Sequence, residues 1–381
     1  MNYKVGSLFA GVGGVCLGFK NASHESANYE LVWANEMDVH ASKTYQLNFE
    51  HDLIVGDIEK IVKPERAGNV EEKLHFENKK QQILAKPIDI LTGGFPCQAF
   101  SIAGSRKGFD DKRGNLFYSI IDLVSDLAEA SHKPRILFLE NVKNLRGHDK
   151  GNTYQVIKQE IESIGYTVKD VVLNTKEYTN LPQNRERMFI VCFLNERDAQ
   201  RFTMFDRLDE FKKDHSEVNR RDNISQVLDL KADKSKLQSY YYSKDKYPNY
   251  FISETEYDSM PADKRRKERI NITEQIDQEF EFYQVRRGMY VRKNSSGVCP
   301  TLTANMGTGG HNVALIKVKD GVRKLTPAET FKLQGFPVGN GYQLPTNMSN
   351  GHLYKQAGNA VSVDVITLIA NELLNVLQAG D

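Results

Sequence analysis

The sequence predicts an α/β fold in which a doubly wound, mostly parallel sheet is joined to a smaller, irregular module. Three observations indicate this fold class. Short, continuous apolar runs, typical of strands buried on both faces, alternate with helical patterns through residues 1–194. This regularity fades over residues 195–320, which are polar and contain many tyrosines and lysines. Regular patterns return at residues 325–337 and 362–378.

Seven apolar runs predict the strands of the sheet. They are residues 3–10, 29–36, 52–58, 87–94, 134–142, 166–174 and 187–194. Helical patterns at 114–130 and 152–165 separate the later strands. Such an order requires right-handed crossovers, and ligands of these sheets bind outside the carboxyl ends of the strands. We therefore expect functional residues directly after the apolar runs.

The last part of the chain predicts two helices. Thr326 is suited to cap the first, with Pro327 at its first position and Glu329 completing a capping box. The amphipathic pattern at 362–378 predicts a helix that packs on the first domain. A discontinuous organisation follows, with residues 1–194 plus 355–381 as one domain and residues 195–354 as the other.

Composition limits the classes of protein that the chain can represent. The 381 residues carry a net charge of +1, and the longest apolar runs are far shorter than the roughly 20 residues that span a bilayer. Four cysteines without a C-x-x-C pair predict neither a disulfide framework nor a metal site. We expect a cytoplasmic protein without membrane contact. Basic clusters at 219–222, 263–269 and 284–293, with aromatic residues between them, favour a polyanionic partner.

The first three strand ends predict a nucleotide-like cofactor. The turn "FAGVGG", Phe9 to Gly14, follows the first strand, and its glycines allow close approach to a ligand. Glu36 ends the second strand, where an acid can bind ribose hydroxyls, and Asp57 follows the third, where it can accept from an adenine amine. The glycine spacing does not match a pyrophosphate cradle. An adenosine compound without phosphates, such as S-adenosylmethionine, fits best.

A thiol follows the fourth predicted strand, an acid ends the fifth, and two arginines lie at the start of the last. Cys97 lies in the loop "GGFPCQAFS", Glu140 ends "FLE", and Arg185 and Arg187 lie in "LPQNRERMF". Addition of a thiolate to carbon 6 of cytosine makes carbon 5 nucleophilic enough to accept a methyl group. A protonated carboxyl group at ring N3, in a partly desolvated site, would assist by neutralising the developing charge. The arginines would bind cytosine O2 and phosphate and lower the pKa of the thiol.

With these motifs in their order, the chain resembles the bacterial-type cytosine-5 DNA methyltransferases of restriction–modification systems. "FAGVGG", "GGFPCQAFS", "ENV", "QNRER" and "QAGNAVSV" carry the resemblance, which covers about 1–194 and 322–378. It implies the S-adenosylmethionine-dependent methyltransferase fold. It also implies that Cys97 is the covalent nucleophile, Glu140 the partner of N3, and Arg187 the contact of O2. Arg185 would support the active-site loop and phosphate.

The resemblance further implies a cofactor pocket and a DNA-binding module. The pocket residues would be Phe9, Gly11, Gly13, Gly14, Glu36, Met37, Asp57, Ile58, Pro96, Leu116, Asn359 and Val361. Met37 departs from the family, in which many members have a tryptophan, and predicts looser packing on the adenine. Residues 101–115 would close over a cytosine flipped out of the duplex. Residues 195–354 would be the target-recognition domain, with a Thr-Leu segment at 298–313 like that of relatives acting on GGNCC-like sites.

The implied partner is double-stranded DNA, bound by a monomer at the bacterial nucleoid, with a cognate restriction endonuclease as a possible functional companion. Three alternatives compete with this interpretation. A tRNA cytosine-5 methyltransferase would share the catalytic set, but its insert is smaller than 195–320. A binding protein without chemistry would not need Cys97, Glu140 and Arg187. A nicotinamide-linked dehydrogenase would need the complete dinucleotide glycine pattern, which is missing.

Overall fold

The computed structural model describes residues 1–24, 27–95, 116–214, 216–265, 268–286, 290–307 and 313–379. The chain forms two compact units. The first unit comprises Met1–Asn174, Glu186–Lys212 and Val363–Asp381, and the second comprises Thr175–Arg185 and Lys213–Ser362. The predicted domain boundaries differ from these units at residues 175–185, 195–212 and 355–362. The roles predicted for the two domains stay predictions.

The first unit is built on a sheet with the strand order β2-β3-β1-β5-β6-β8-β7, in which β4 also pairs with β3, through Trp33–Glu36. Its strands are β1 (Asn2–Leu8), β2 (Ser23–His24), β3 (Ala27–Glu36), β4 (Asp52–Val55), β5 (Ile90–Gly93), β6 (Ile136–Val142), β7 (Thr167–Asn174) and β8 (Glu186–Phe193). The central pairs are parallel, whereas β8 is antiparallel to both β6 and β7. The prediction of an α/β fold with a mostly parallel sheet is confirmed.

The helices lie between and beyond these strands. Numbered along the chain, they are α1 (Gly14–Asn21), α2 (Val39–Gln46), α3 (Ile58–Val62), α4 (Val70–Leu84), α5 (Leu116–Glu129), α6 (Asn152–Ser163), α7 (Thr175–Tyr178), α8 (Glu196–Arg201), α9 (Glu217–Val227), α10 (Glu254–Ser259), α11 (Ile272–Gln275), α12 (Pro327–Lys332), α13 (Asn350–Asn359) and α14 (Val363–Gln378). Short 3-10 helices occur at Pro64–Arg66, Lys143–Gly151, Met204–Asp206, Leu208–Phe211, Gln238–Tyr240 and Pro248–Tyr250.

The C-terminal helix α14 completes the first unit by packing on α1. The backbones come close at Gly18, where an added Cβ would lie 2.5 Å from the Cβ of Ile366.

Among the described residues, the stretch Asn350–Gln378 is long and apolar enough to cross a membrane by length and composition alone. About 61% of its most apolar window is buried inside the protein, as is common for core helices.

The second unit contains a small antiparallel sheet that the sequence did not reveal. Its strands are β9 (Tyr283–Arg286), β10 (Tyr290–Lys293), β11 (Leu315–Val318) and β12 (Gly321–Lys324), in the order β10-β9-β11-β12. Each strand has only four residues, too few to establish a period of two. One face packs on a hydrophobic cluster that includes Ile270, Ile272, Leu315 and Val322.

The capping box predicted for residues 326–329 is confirmed at the start of α12. The Thr326 side chain accepts a hydrogen bond from the backbone of Glu329, whose carboxylate accepts one from the backbone of Thr326. The same carboxylate forms a buried, bidentate ion pair with Arg323, at 2.6 and 2.8 Å. The side chains of Arg323 and Glu329 are 0% and 2% exposed. This pair therefore joins β12 to α12 inside the second unit.

Candidate active site

The turn from Phe9 to Gly14 connects β1 to α1 and has an unusual backbone. Phe9, Gly11 and Gly13 all have positive φ angles, of 54°, 56° and 85°. A Cβ at Gly13 would lie 2.2 Å from the ring of Phe49, so only glycine fits there. A Cβ at Gly11 would meet no atom within 4 Å. The backbone at Gly11 therefore faces open space.

Glu36, the last residue of β3, fixes this turn. Its carboxylate is 9% exposed and accepts a 2.7 Å hydrogen bond from the backbone N–H of Gly11. Its other oxygen accepts from the N–H groups of Met37 and Asp38, at 2.9 and 2.7 Å. One carboxylate thus holds together the glycine turn and the start of α2.

The neighbouring strand end supplies the second predicted acid. Asp57 caps α3 and accepts a hydrogen bond from Glu59, while the next residue, Ile58, is buried in the core. Met37 exposes 60% of its surface, so its apolar side chain is accessible to a planar ring of a ligand. Carboxylates at the ends of two adjacent strands supply acceptors, and the accessible thioether and the open space at Gly11 supply surfaces, that fit an adenosine compound.

We predict that Gly11→Ala weakens binding of S-adenosylmethionine in addition to destabilising the protein. The positive φ angle costs alanine about 1–2 kcal/mol, and the new methyl group points into the open space where we place the ligand. Calorimetry should show a rise in Kd of at least about 10-fold, which corresponds to 1.4 kcal/mol. Gly147→Ala, which also meets no atom within 4 Å and has no positive φ, should change neither quantity. Unchanged cofactor affinity in Gly11→Ala would contradict this placement.

Glu140 and Arg187 come together on the neighbouring strands β6 and β8. In the antiparallel register Glu140 is opposite Phe189 and Arg187 is opposite Val142, so the two side chains are diagonal neighbours on one face. The Nε atom of Arg187 lies 3.0 Å from a carboxylate oxygen of Glu140. Their side chains are 16% and 12% exposed. The sequence did not predict this direct contact between the carboxyl group and the guanidinium.

Asn141 helps to position the strand end at Glu140, although it was not among the residues predicted for the site. Its amide donates a 2.8 Å hydrogen bond to the carbonyl of Phe95, and its side-chain oxygen accepts from Val142. Phe95 directly precedes the segment 96–115, so Asn141 ties the β6 strand to the start of that segment. Its position next to Glu140 in the "ENV" motif is the feature of the sequence that could have indicated this role.

Several predicted site residues lie outside the described part of the chain. These are Pro96, Cys97 and the loop 101–115. The described residues on either side are well packed, because Phe95 is buried and Leu116 begins α5 and contacts the hydrophobic core. The structure therefore defines both ends of the segment that carries Cys97.

Arg185 lies in the second unit and is almost completely buried. Its guanidinium donates hydrogen bonds to the carbonyls of Leu302, Gly358 and Ala360, at 2.9, 3.1 and 2.5 Å. The nearby Gln183 donates to the carbonyl of Leu333 at 2.8 Å. Gln183 and Arg185 of the "QNRER" motif thus link segments of the second unit. The sequence did not indicate that these two residues have a different role from Arg187.

The last two predicted cofactor residues also belong to the second unit. Asn359 ends α13 and is exposed, whereas Val361 is 8% exposed. Gly358 is in tight contact with the Thr-Leu segment, because an added Cβ would lie 2.2 Å from the backbone of Thr303. The motif "QAGNAVSV" and the Thr-Leu segment therefore pack directly on each other.

Comparison with known proteins agrees with these observations. The chain is 43% identical over 373 residues to the Type II methyltransferase M.Bsp6I of Bacillus sp. (strain RFL6), covering 97% of this chain and 98% of that protein. It is 34% identical over 376 residues to M.HaeII of Haemophilus aegyptius, covering 98% and 94%. Both relatives are thus matched over nearly their whole length.

Solved structures share the fold. The Entamoeba histolytica methyltransferase EhMeth matches with a TM-score of 0.62 at 17% identity and covers 99% of both chains. The S. pombe Dnmt2 methyltransferase matches with a TM-score of 0.60 at 16% identity, covering 98% of this chain and 99% of that one. The family described as C-5 cytosine-specific DNA methylase matches residues 3–375. The chain therefore belongs to the C-5 cytosine-specific DNA methylase family and is a DNA cytosine-5-methyltransferase.

Proposed function

We propose that this methyltransferase modifies a cytosine that is flipped out of a short, specific site in double-stranded DNA, through a covalent bond between Cys97 and carbon 6. The contact between Glu140 and Arg187 carries the proposal. It places an acid and a planar cation together at 3.0 Å, and Asn141 connects them to the segment that contains Cys97. A pyrimidine ring has groups for each: N3 for the acid and O2 for the arginine.

The reaction begins with attack of the Cys97 thiolate on carbon 6, which forms a C–S bond and moves the ring electrons toward carbon 5 and N3. Bound S-adenosylmethionine supplies an electrophilic methyl group, with its sulfonium sulfur as the leaving group. Once carbon 5 carries the methyl group, its proton passes to water. The electrons of that C–H bond re-form the double bond between carbons 5 and 6, and the C–S bond breaks to return the thiolate. The chain's residues thus act mainly on the ring, not on the methyl donor.

Glu140 and Arg187 stabilise the charge that the attack creates. The carboxyl group is desolvated and faces Arg187, so in the resting site its negative charge is compensated. We assign the proton at N3 to Glu140, which must acquire it when the base is bound. Nη1 of Arg187 donates to the carbonyl of Glu186, and we assign Nη2, which donates to no described residue, to cytosine O2.

The remaining assignments extend the proposal to the whole chain. The cofactor residues are those predicted from the turn at Phe9, the acids Glu36 and Asp57, and the motif that contains Asn359. Arg185 is a positioning residue, because its guanidinium donates hydrogen bonds to carbonyl groups of its own unit and so fixes those segments. We further propose that residues 195–354 recognise the DNA site and that 101–115 close over the flipped base. We also propose that the enzyme is a cytoplasmic monomer and that it acts alongside a cognate endonuclease.

The test is bisulfite sequencing of a plasmid from a methylation-free bacterial host that expresses the chain. Wild type should protect the cytosines of one short motif, and Cys97→Ala should protect none, because no other group can form the adduct. Cys192→Ala is the matched control, since Cys192 is a fully buried thiol in the core of the first unit and should leave protection intact. Protection by Cys97→Ala would refute the covalent route, and complete conversion with wild type would refute DNA methylation in that host.

A further inference from the structure

A chain of buried polar groups lies directly beneath the glycine turn and has no part in the chemistry described above. Thr92 in β5 donates a 2.9 Å hydrogen bond to Ser7 in β1. The Cys16 sulfur, in the first turn of α1, accepts a 3.1 Å hydrogen bond from the Tyr45 hydroxyl. The Ser7 hydroxyl also lies beside the thiol, where it opposes the rise in pKa that burial causes. Tyr45 in turn contacts Nε2 of His51 at 2.6 Å. We refer to these five residues as the relay.

The relay encloses the turn from both ends. Ser7 precedes Phe9 by two residues, and Cys16 follows Gly14 by two residues, so the Ser7 hydroxyl beside the Cys16 thiol brings the strand before the turn next to the helix after it. Thr92 extends the connection to β5, whose chain leads to the segment with Cys97. Thr92, Ser7, Cys16 and Tyr45 are all at most 1% exposed, so water does not compete for these hydrogen bonds.

The ring of Tyr45 also contacts the turn directly. A Cβ at Gly13 would lie 3.1 Å from this ring, and the ring stacks on that of Phe49 with centroids 4.4 Å apart. The other end of α2 is tied to the same turn, because Glu36 accepts from both Gly11 and Asp38, and Asp38 caps α2. The helix α2 therefore holds the turn at two places.

His51 completes the relay as a neutral group. Burial lowers its pKa to about 4, with a further contribution from Lys20. Lys86 acts in the same direction and Asp52 opposes it. When Tyr45 donates to Cys16, its oxygen accepts from the N–H at Nε2 of His51, which fixes the tautomer of the imidazole.

We infer that Tyr45 and His51 are positioning residues that preorganise the cofactor turn through Cys16. The inference rests on the proposed function, since it takes S-adenosylmethionine as the ligand of that turn. Phe9 has a positive φ angle of 54°, which strains a residue other than glycine, so the turn needs support from its surroundings. Without the Tyr45 hydroxyl, the turn would have to become ordered when the cofactor binds, and this cost would lower the affinity for the cofactor.

The experiment compares two variants that each remove one buried hydroxyl group from the first unit. Tyr45→Phe keeps the ring on Gly13 and loses the bonds to Cys16 and His51. Its Kd for S-adenosylmethionine, by calorimetry, should rise about 5- to 10-fold, which lies within the net effect of losing one to two hydrogen bonds. The kcat at saturating cofactor should not change. Tyr166→Phe, which loses a 2.6 Å hydrogen bond to the carbonyl of Pro134 away from the turn, should keep the wild-type Kd.

A second pair of variants keeps the test independent of folding at Tyr45. His51→Gln retains an N–H donor for Tyr45 and should bind the cofactor like wild type, whereas His51→Leu should resemble Tyr45→Phe. Affinities within twofold of wild type in both Tyr45→Phe and His51→Leu would overturn the inference, as would an equal loss in Tyr166→Phe. If wild type itself bound no S-adenosylmethionine, the proposed function would fail first and the inference with it.

Discussion

Glu140→Gln should lower the kcat of methyl transfer about 10²- to 10⁴-fold, the usual contribution of a positioned general acid. The amide keeps the size of the carboxyl group but cannot transfer a proton to N3. It also leaves the charge of Arg187 without its partner at 3.0 Å. The measurement is transfer of labelled methyl groups to DNA at saturating S-adenosylmethionine, with cofactor affinity determined separately and expected to stay unchanged.

A surface glutamate provides the control for Glu140. Glu162 is 45% exposed in α6 and lies 3.8 Å from Lys158, so Glu162→Gln removes the same charge and should retain full kcat. If Glu140→Gln kept more than about a tenth of the wild-type kcat, below the smallest loss expected of a general acid, Glu140 would not have the assigned role. A loss of cofactor affinity in Glu140→Gln would place the residue in binding instead.

The second large effect concerns stability. Arg323→Met should lower the free energy of unfolding by about 3–5 kcal/mol, because it leaves the buried Glu329 carboxylate without its cation. Arg323 also donates to the carbonyl of Asp229, which loses its donor as well. Urea unfolding followed by circular dichroism gives the value, and the transition of the second unit should move to lower urea concentration.

An exposed pair in the same unit shows whether burial is the cause. Arg269 and Glu274 are 2.6 Å apart but 26% and 52% exposed, so Arg269→Met should lower the free energy of unfolding far less than Arg323→Met does. Adding Glu329→Gln to Arg323→Met should restore part of the lost stability, since no uncompensated charge then remains buried. Equal losses in Arg323→Met and Arg269→Met would contradict the argument.

Much of the first unit was predictable because its strands are buried on both faces. All seven apolar runs form strands, and the patterns at 114–130, 152–165 and 362–378 form α5, α6 and α14. The helix α4 was missed because only Phe76 and Ile83 are buried along its 15 residues, which leaves little apolar periodicity. The small sheet of the second unit was missed because its strands are too short to show alternation.

The sequence by itself determined the family, through motifs whose order and residue types are tied to a reaction, and the positions of Glu36, Asp57 and Glu140 at or near strand ends. Only the tertiary structure decided which of these residues meet. The antiparallel pairing of β6 and β8 brings Arg187 to Glu140. Arg185, two residues away in sequence, instead holds carbonyl groups of the second unit. Contacts between distant segments depend on which strands pair and in which direction, and local patterns of hydrophobicity do not encode this.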